Sequence, residues 1–418
     1  MKVVKITLFA VLAALLAVGV STTSYAFHSG GVAECEGCHS MHSPKAGGTD
    51  LLVAGDASSA CLTCHESATD TAANGYHIST ADAKLLTSAP LQRTPGGDFG
   101  WVKKTWDVAR DPKQRHGHNI IAADFNYNVD DNNVYAPGSG SAFASSALGC
   151  QSCHDPHGQV RRTLTGYQRG GTIGQLTLPI MASGSYNNSP EPTATEAVGA
   201  YRILRGAGDA SQGVTFVDVP IAVAPSSYNA SEATTQTRVA YGASGANTWG
   251  NWCGTCHADM HSSGNYVHPV DEDLNGLSAF YNAYKKSGDL TGTSGTAYSS
   301  LVPFAEATGA YATLKTHASN TGGYLNGPAS GDQVMCLSCH RAHASGMPEM
   351  LRFTYHYEFM TYGGNYIGMD NPLMTSSRKA TQTLSRNMAD WQAALYDRPA
   401  SQFATYQRVL CNKCHAKD

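Results

Sequence analysis

Twelve cysteines fall into six Cys-x-x-Cys-His runs with none left over: Cys35/Cys38/His39, Cys61/Cys64/His65, Cys150/Cys153/His154, Cys253/Cys256/His257, Cys336/Cys339/His340 and Cys411/Cys414/His415. This spacing suits one chemistry. Two thiols add across the vinyl groups of a porphyrin while the adjacent imidazole reaches the iron beneath the ring, so all three groups must come from one turn of chain. Disulfides would explain paired cysteines in an exported chain, and zinc ribbons would explain paired Cys-x-x-Cys. Neither requires His behind every second Cys. With 17 His among 418 residues, that coincidence at six places has odds below roughly one in a hundred million. The sequence implies six haem c groups, with His39, His65, His154, His257, His340 and His415 as proximal iron ligands.

Eleven His remain for the opposite faces of the irons: His28, His42, His77, His116, His118, His157, His261, His268, His317, His343 and His356. That supply is enough for six bis-histidine haems. Methionine would raise the potential as a ligand, but Met41, Met260 and Met347 have no regular placement and read as packing side chains. His42, His157 and His343 each follow a proximal His by three residues, and His261 follows one by four. Two or three intervening residues of at most ~3.6 Å each cannot travel around a porphyrin edge. Each of these His therefore serves a different haem or none, and any that ligates locks two haems together. His77, His118 and His317 stand alone in polar loops, His28 lies near the chain start and His268 precedes Pro269. His116, beside His118, and His356, in an aromatic run, read as non-ligands. The first choice of distal ligands is thus His42, His77, His118, His157, His261 and His343, with His28, His317 and His268 in reserve.

The rest of the chain must position these groups with little apparent core of its own. Only 14% of its residues are charged and 43 are Gly. The motifs begin at residues 35, 61, 150, 253, 336 and 411, so the first two form a close pair. Between Gly158 and Trp252 runs a haem-free stretch broken by Pro190, Pro192, Pro220 and Pro225. Loops and short strands are expected there. Short helices are expected at the motifs, around Ser278–Lys286 and around Met388–Tyr396, where apolar residues recur at helical spacing. The fold class is a multihaem cytochrome c, mostly irregular, with short helices, few short strands and a haem-templated core. Arg161, Arg162, Lys285 and Lys286 read as surface charges or propionate partners.

Residues 1–26 read as a secretory signal peptide: Lys2 and Lys5, an apolar run from Ile6 to Val20, and a small-residue site at Ser24-Tyr25-Ala26. That run is too short to span a bilayer, and residues 27–418 are expected as one secreted hexahaem unit. The formal charge of −4 becomes −6 without Lys2 and Lys5, before any haem propionates are added. A nucleic-acid partner would need a basic face, so none is expected.

With the motifs placed, the chain resembles the OmcS-like hexahaem outer-surface cytochromes of metal-respiring bacteria, subunits of extracellular filaments. The resemblance is carried by Phe27-His28-Ser29-Gly30-Gly31 leading into CEGCH, Tyr76-His77-Ile78-Ser79-Thr80, PGGDFGWVKK from Pro95, CHDPHG from Cys153, EATTQTRVAYG from Glu232, YKKSGDLTGT from Tyr284, CLSCHRAHASG from Cys336 and the terminal CNKCHAKD. The match is weaker between Thr165 and Gln212. The resemblance implies low-spin bis-histidine haems in one continuous chain, alternating stacked and T-shaped contacts, and head-to-tail polymerisation. In the family pattern His42 ligates the haem on Cys336 and Cys339 of the neighbouring subunit, and His116 and His356 have no counterpart among the ligands.

The function expected is an extracellular electron conduit, a head-to-tail homopolymer fed by upstream outer-membrane cytochrome complexes and discharging to metal oxides or other cells. A periplasmic or cell-surface shuttle that never polymerises would use the same chemistry. A catalytic multihaem enzyme needs an open iron position, and neither a Cys-x-x-Cys-Lys variant nor a shortage of His supplies one. Filaments in secreted material would separate conduit from shuttle.

Overall fold

The computed structural model describes residues 35–45, 50–69, 76–170, 185–225, 232, 236–260, 268–320 and 322–415. The signal-peptide segment, His28 and His261 lie outside these residues.

One-turn helices form at the motifs, over Cys35–Cys38, Cys150–Cys153 and Cys336–Cys339. The second variable residue of the motif stabilises two of them. Ser152 Oγ accepts from Gly149 N–H at 3.0 Å and Ser338 Oγ from Met335 N–H at 3.2 Å, closing the helix start in capping-box fashion. His154 and His340 then leave their helices in extended conformation, which turns the imidazole away from the helix. The second motif ends a nine-residue helix, Ala57–His65, whose Asp56 cap accepts from Ser59 N–H at 2.8 Å. The fourth lies in helix Trp249–Gly254, capped by Thr248, and the sixth in the 3₁₀ turn Leu410–Lys413.

Helices Leu277–Ala283 and Met388–Ala394 stand where the apolar spacing placed them. Among its described residues the haem-free stretch forms loops, strands of two to four residues and a 3₁₀ turn at Tyr201–Ile203. Val160–Thr163 pairs antiparallel with both Gly166–Arg169 and Val198–Gly199. Ala240–Gly242 pairs antiparallel with Ala222–Val223 and parallel with Ala305–Glu306. No described sheet exceeds three strands. Among the described residues no helix is long and apolar enough to cross a membrane.

The chain also builds apolar clusters of its own. The largest joins Leu62, Phe99, Trp101, Tyr281, Met347 and Trp391 from widely separated segments. Arg161, read from sequence as a surface charge or propionate partner, is instead buried, with Nη2 donating to Gly158 O at 2.9 Å. Arg162 lies 4.2 Å over the Tyr311 ring. The apolar body of an arginine tolerates such burial when its head finds acceptors or a ring face.

Candidate haem sites

All twelve thiols are free of disulfides. Beside five of the six motifs a backbone carbonyl stands at the proximal imidazole. His39 Nδ1 lies 2.6 Å from Asp50 O, His65 Nδ1 3.0 Å from Tyr76 O, His154 Nδ1 2.8 Å from Arg202 O, His257 Nδ1 2.7 Å from Pro137 O and His340 Nδ1 3.0 Å from Glu349 O. A carbonyl only accepts, so Nδ1 carries the proton and Nε2 presents its lone pair. This is the tautomer and orientation that a metal-ligating histidine requires. Burial, joined by the field of neighbouring groups, holds His154 and His340 at about 4, so both are neutral near pH 7.

Four proximal imidazoles face a second one. Ring centroids are 6.4 Å apart for His39 and His157, 6.2 Å for His154 and His343, 6.1 Å for His257 and His118, and 6.2 Å for His415 and His268. Two imidazole nitrogens at metal-bond distances of about 2.0 Å on either side of one ion place their rings roughly 6 Å apart. The residues present therefore fit bis-histidine iron at these four positions. His157 faces His39 and not the His154 three residues before it, and His343 faces His154 and not His340.

Two of the facing His come from one clasp. His343 N–H donates to Gly96 O at 2.7 Å, His118 N–H to His343 O at 3.0 Å and Ser345 N–H to His116 O at 2.8 Å, while His118 Nδ1 reaches Ala342 O at 2.8 Å. Gly97 and Gly117 lie against Ala344; a Cβ on Gly117 would stand 2.4 Å from the Ala344 Cβ. Burial, with the fields of His257 and His340, holds His118 at about 4; burial and the field of His154 put His343 at about 3.

The remaining candidates separate clearly. His42 is exposed, beside Met41 at 80% exposure. Among the described residues, no imidazole faces His340 as His343 faces His154. His77 follows the Tyr76 carbonyl that holds His65, and its ring lies 4.3 Å from that of Tyr76. The reserve His268 faces a proximal ring. The reserve His317 faces none and is engaged otherwise: Nδ1 is 2.6 Å from Glu306 Oε2 and the ring stacks on Tyr324 at 3.9 Å. His116 is fully buried, with Nε2 3.0 Å from Asp111 Oδ1 and Nδ1 3.0 Å from Ser345 O, bracing the clasp. His356 is exposed and stacked on Tyr355 at 4.4 Å. The carbonyls that stand at Nδ1 have no sequence signal, because they depend on where distant loops pass.

Consecutive motifs lie near one another along the series. The Cys61 sulfur lies beside that of Cys150, and that of Cys253 beside Cys336. Cys38 lies in the field of Cys61 and Cys64, Cys153 in that of Cys256, and Cys339 in that of Cys411 and Cys414. Helix Ala57–His65 packs on Cys150–Cys153 and Trp249–Gly254 on Cys336–Cys339. Six attachment sites in one linear order, each beside the next, define a multihaem c-type cytochrome.

No family model matches the chain. It is 47% identical, over 100% of both chains, to the C-type cytochrome OmcS of Geobacter sulfurreducens. It also matches two solved filament structures at a TM-score of 0.80. One is a cryo-EM structure of the OmcS nanowires from Geobacter sulfurreducens, 47% identical, and the other an Outer Membrane Cytochrome S filament from the same organism, 48% identical; each covers 94% of this chain and 100% of the solved one. The chain belongs to the OmcS family of c-type cytochromes, and its cofactors are six haem c groups.

Proposed function

We propose that this protein is the subunit of an extracellular filament that conducts respiratory electrons along six bis-histidine haems per subunit. The observation that carries the reading is a step of two in the histidine pattern. The His trailing the third motif, His157, faces the first proximal His, and the His trailing the fifth, His343, faces the third. The His trailing the first motif is His42, and two steps back from the first motif lies the fifth motif of a preceding subunit. Among the described residues no imidazole faces His340, and His42 is exposed, so a neighbour's His42 would complete that site. A head-to-tail contact of this kind does not close and so propagates as a fibre. The filaments formed by the similar OmcS proteins support the same reading.

The haems supply reversible one-electron chemistry. This chain's part is to attach them through the twelve cysteines and to fix the proximal imidazoles through the carbonyls at Nδ1. It also sets a second imidazole opposite His39, His154, His257 and His415, offers His42 to a neighbour's His340, and orders the six motifs in one series. Residues 27–418 act as one unit after export and removal of residues 1–26, receiving electrons from outer-membrane cytochrome complexes and passing them to external acceptors. Negative-stain electron microscopy of secreted hexahaem protein tests the reading. Filaments are expected; monodisperse particles would favour a shuttle, and carbon monoxide binding by the reduced protein would favour an enzyme.

A further inference from the structure

Around Glu232 the fold buries more positive charge than its carboxylates balance. Glu232 Oε2 accepts from Arg341 Nη1 at 3.0 Å and lies 3.9 Å from Arg352 Nη1, and Glu232 O accepts from Arg398 Nη2 at 2.9 Å. Arg341, Arg352 and Arg398 are 2, 3 and 4% exposed, and Glu232 is 3% exposed. Arg398 Nη2 also donates to Ser300 Oγ at 2.7 Å, whereas its Nε is buried without a hydrogen-bond partner. The neighbouring charges are already paired: Arg93 with Asp397 and Arg238 with Glu306, each at 2.8 Å. Three guanidinium groups against one carboxylate leave an excess of two positive charges among the described residues. Guanidinium does not shed its proton in a protein, and uncompensated buried charge is costly. Packing alone would be served better by neutral side chains.

The excess lies against one haem motif. Arg341 directly follows the proximal His340. Arg352 Nε donates to Leu337 O at 2.7 Å and His340 O at 3.1 Å, and its backbone N–H donates to Cys339 O at 2.7 Å. Buried positive charge this close to the motif favours an electron on the iron that His340 would bind. Salt screens such a buried source poorly.

We propose that the cluster of Arg341, Arg352 and Arg398 around Glu232 raises the reduction potential of the haem on Cys336 and Cys339. The inference rests on the reading above only for the presence of that haem. At that motif, where a neighbour's His42 would enter, the electron is held more tightly than the ligands alone would hold it.

Spectroelectrochemical titration of the hexahaem protein and its Glu232→Gln and Arg398→Gln variants tests this. Removing the negative charge should move one component, one-sixth of the haem absorbance, to higher potential. Removing a positive charge should move the same component to lower potential, with the other five unchanged. Arg352→Lys, which keeps the charge, should leave that component near its parent position. Opposite signs from two neutralising substitutions would not arise from a merely structural role. No shift, as expected if a propionate neutralises the cluster, would overturn the proposal, and so would shifts of one sign or shifts spread over all six haems. Loss of haem from both variants by mass would mark the cluster as a folding element and reject tuning. Failure of the conduit reading shows separately, as missing filaments or high-spin iron in the parent protein.

Discussion

At the scale of the residue, ligation is prepared by what stands behind each imidazole. A carbonyl at Nδ1 fixes the tautomer and the ring plane, and a facing ring near 6 Å marks an iron position. His268 meets the second criterion opposite His415, whereas His317 is taken up by Glu306 and Tyr324. Replacing His268 by Ala should therefore turn about one haem in six high-spin in the EPR spectrum, since a ferric haem that loses an axial imidazole is left five-coordinate or takes up water. His317→Ala should keep all six low-spin; a high-spin signal there would show that the two assignments are exchanged. The attachment cysteines and proximal His were legible in the sequence because thioether formation demands contiguous residues. The distal His were only partly legible. A His before Pro269 and a His in a polar loop look alike until the chain's course brings one of them to a haem motif and the other to a carboxylate.

At the scale of the element, the clasp of Pro95–Gly97, His116–His118 and Ala342–Ser345 holds in one piece of backbone the two His that face His257 and His154. Ala344 is fully buried between the other two strands of chain, and Gly97, at a φ of 98°, approaches its carbonyl. A methyl on Gly117 would have to displace Ala344, and overpacking of this kind costs roughly 1–3 kcal/mol. Gly117→Ala should lower the thermal unfolding midpoint and perturb the haems of His118 and His343 together, two of six. A change confined to one haem would mean that the clasp does not couple them. The short helices at the motifs and at residues 277–283 and 388–394 followed from spacing and apolar periodicity. The clasp did not, since it consists of single hydrogen bonds between irregular segments far apart in sequence.

At the scale of the whole molecule, the longest described helix has nine residues, below the length at which isolated helices persist in water. Cys150 and Cys414 pack against the largest apolar cluster and Cys153 against a second, so the attached porphyrins would border that interior. Replacing Cys150 and Cys153 by Ala removes the haem at the middle of the series, and no stable five-haem protein should accumulate. Recovery of a compact five-haem form by mass and sedimentation would contradict a haem-templated interior. The proposed assembly uses the same ligand pattern: histidines trailing the third and fifth motifs face the proximal His two motifs back, and on that pattern the one trailing the first motif would step out of the subunit. The most direct measurement is imaging of His42→Ala beside the parent, after mass spectrometry confirms six haems in both. The account predicts folded variant protein without filaments and with one haem in six high-spin or carrying a substitute ligand. Normal filaments with an unchanged low-spin spectrum would contradict it.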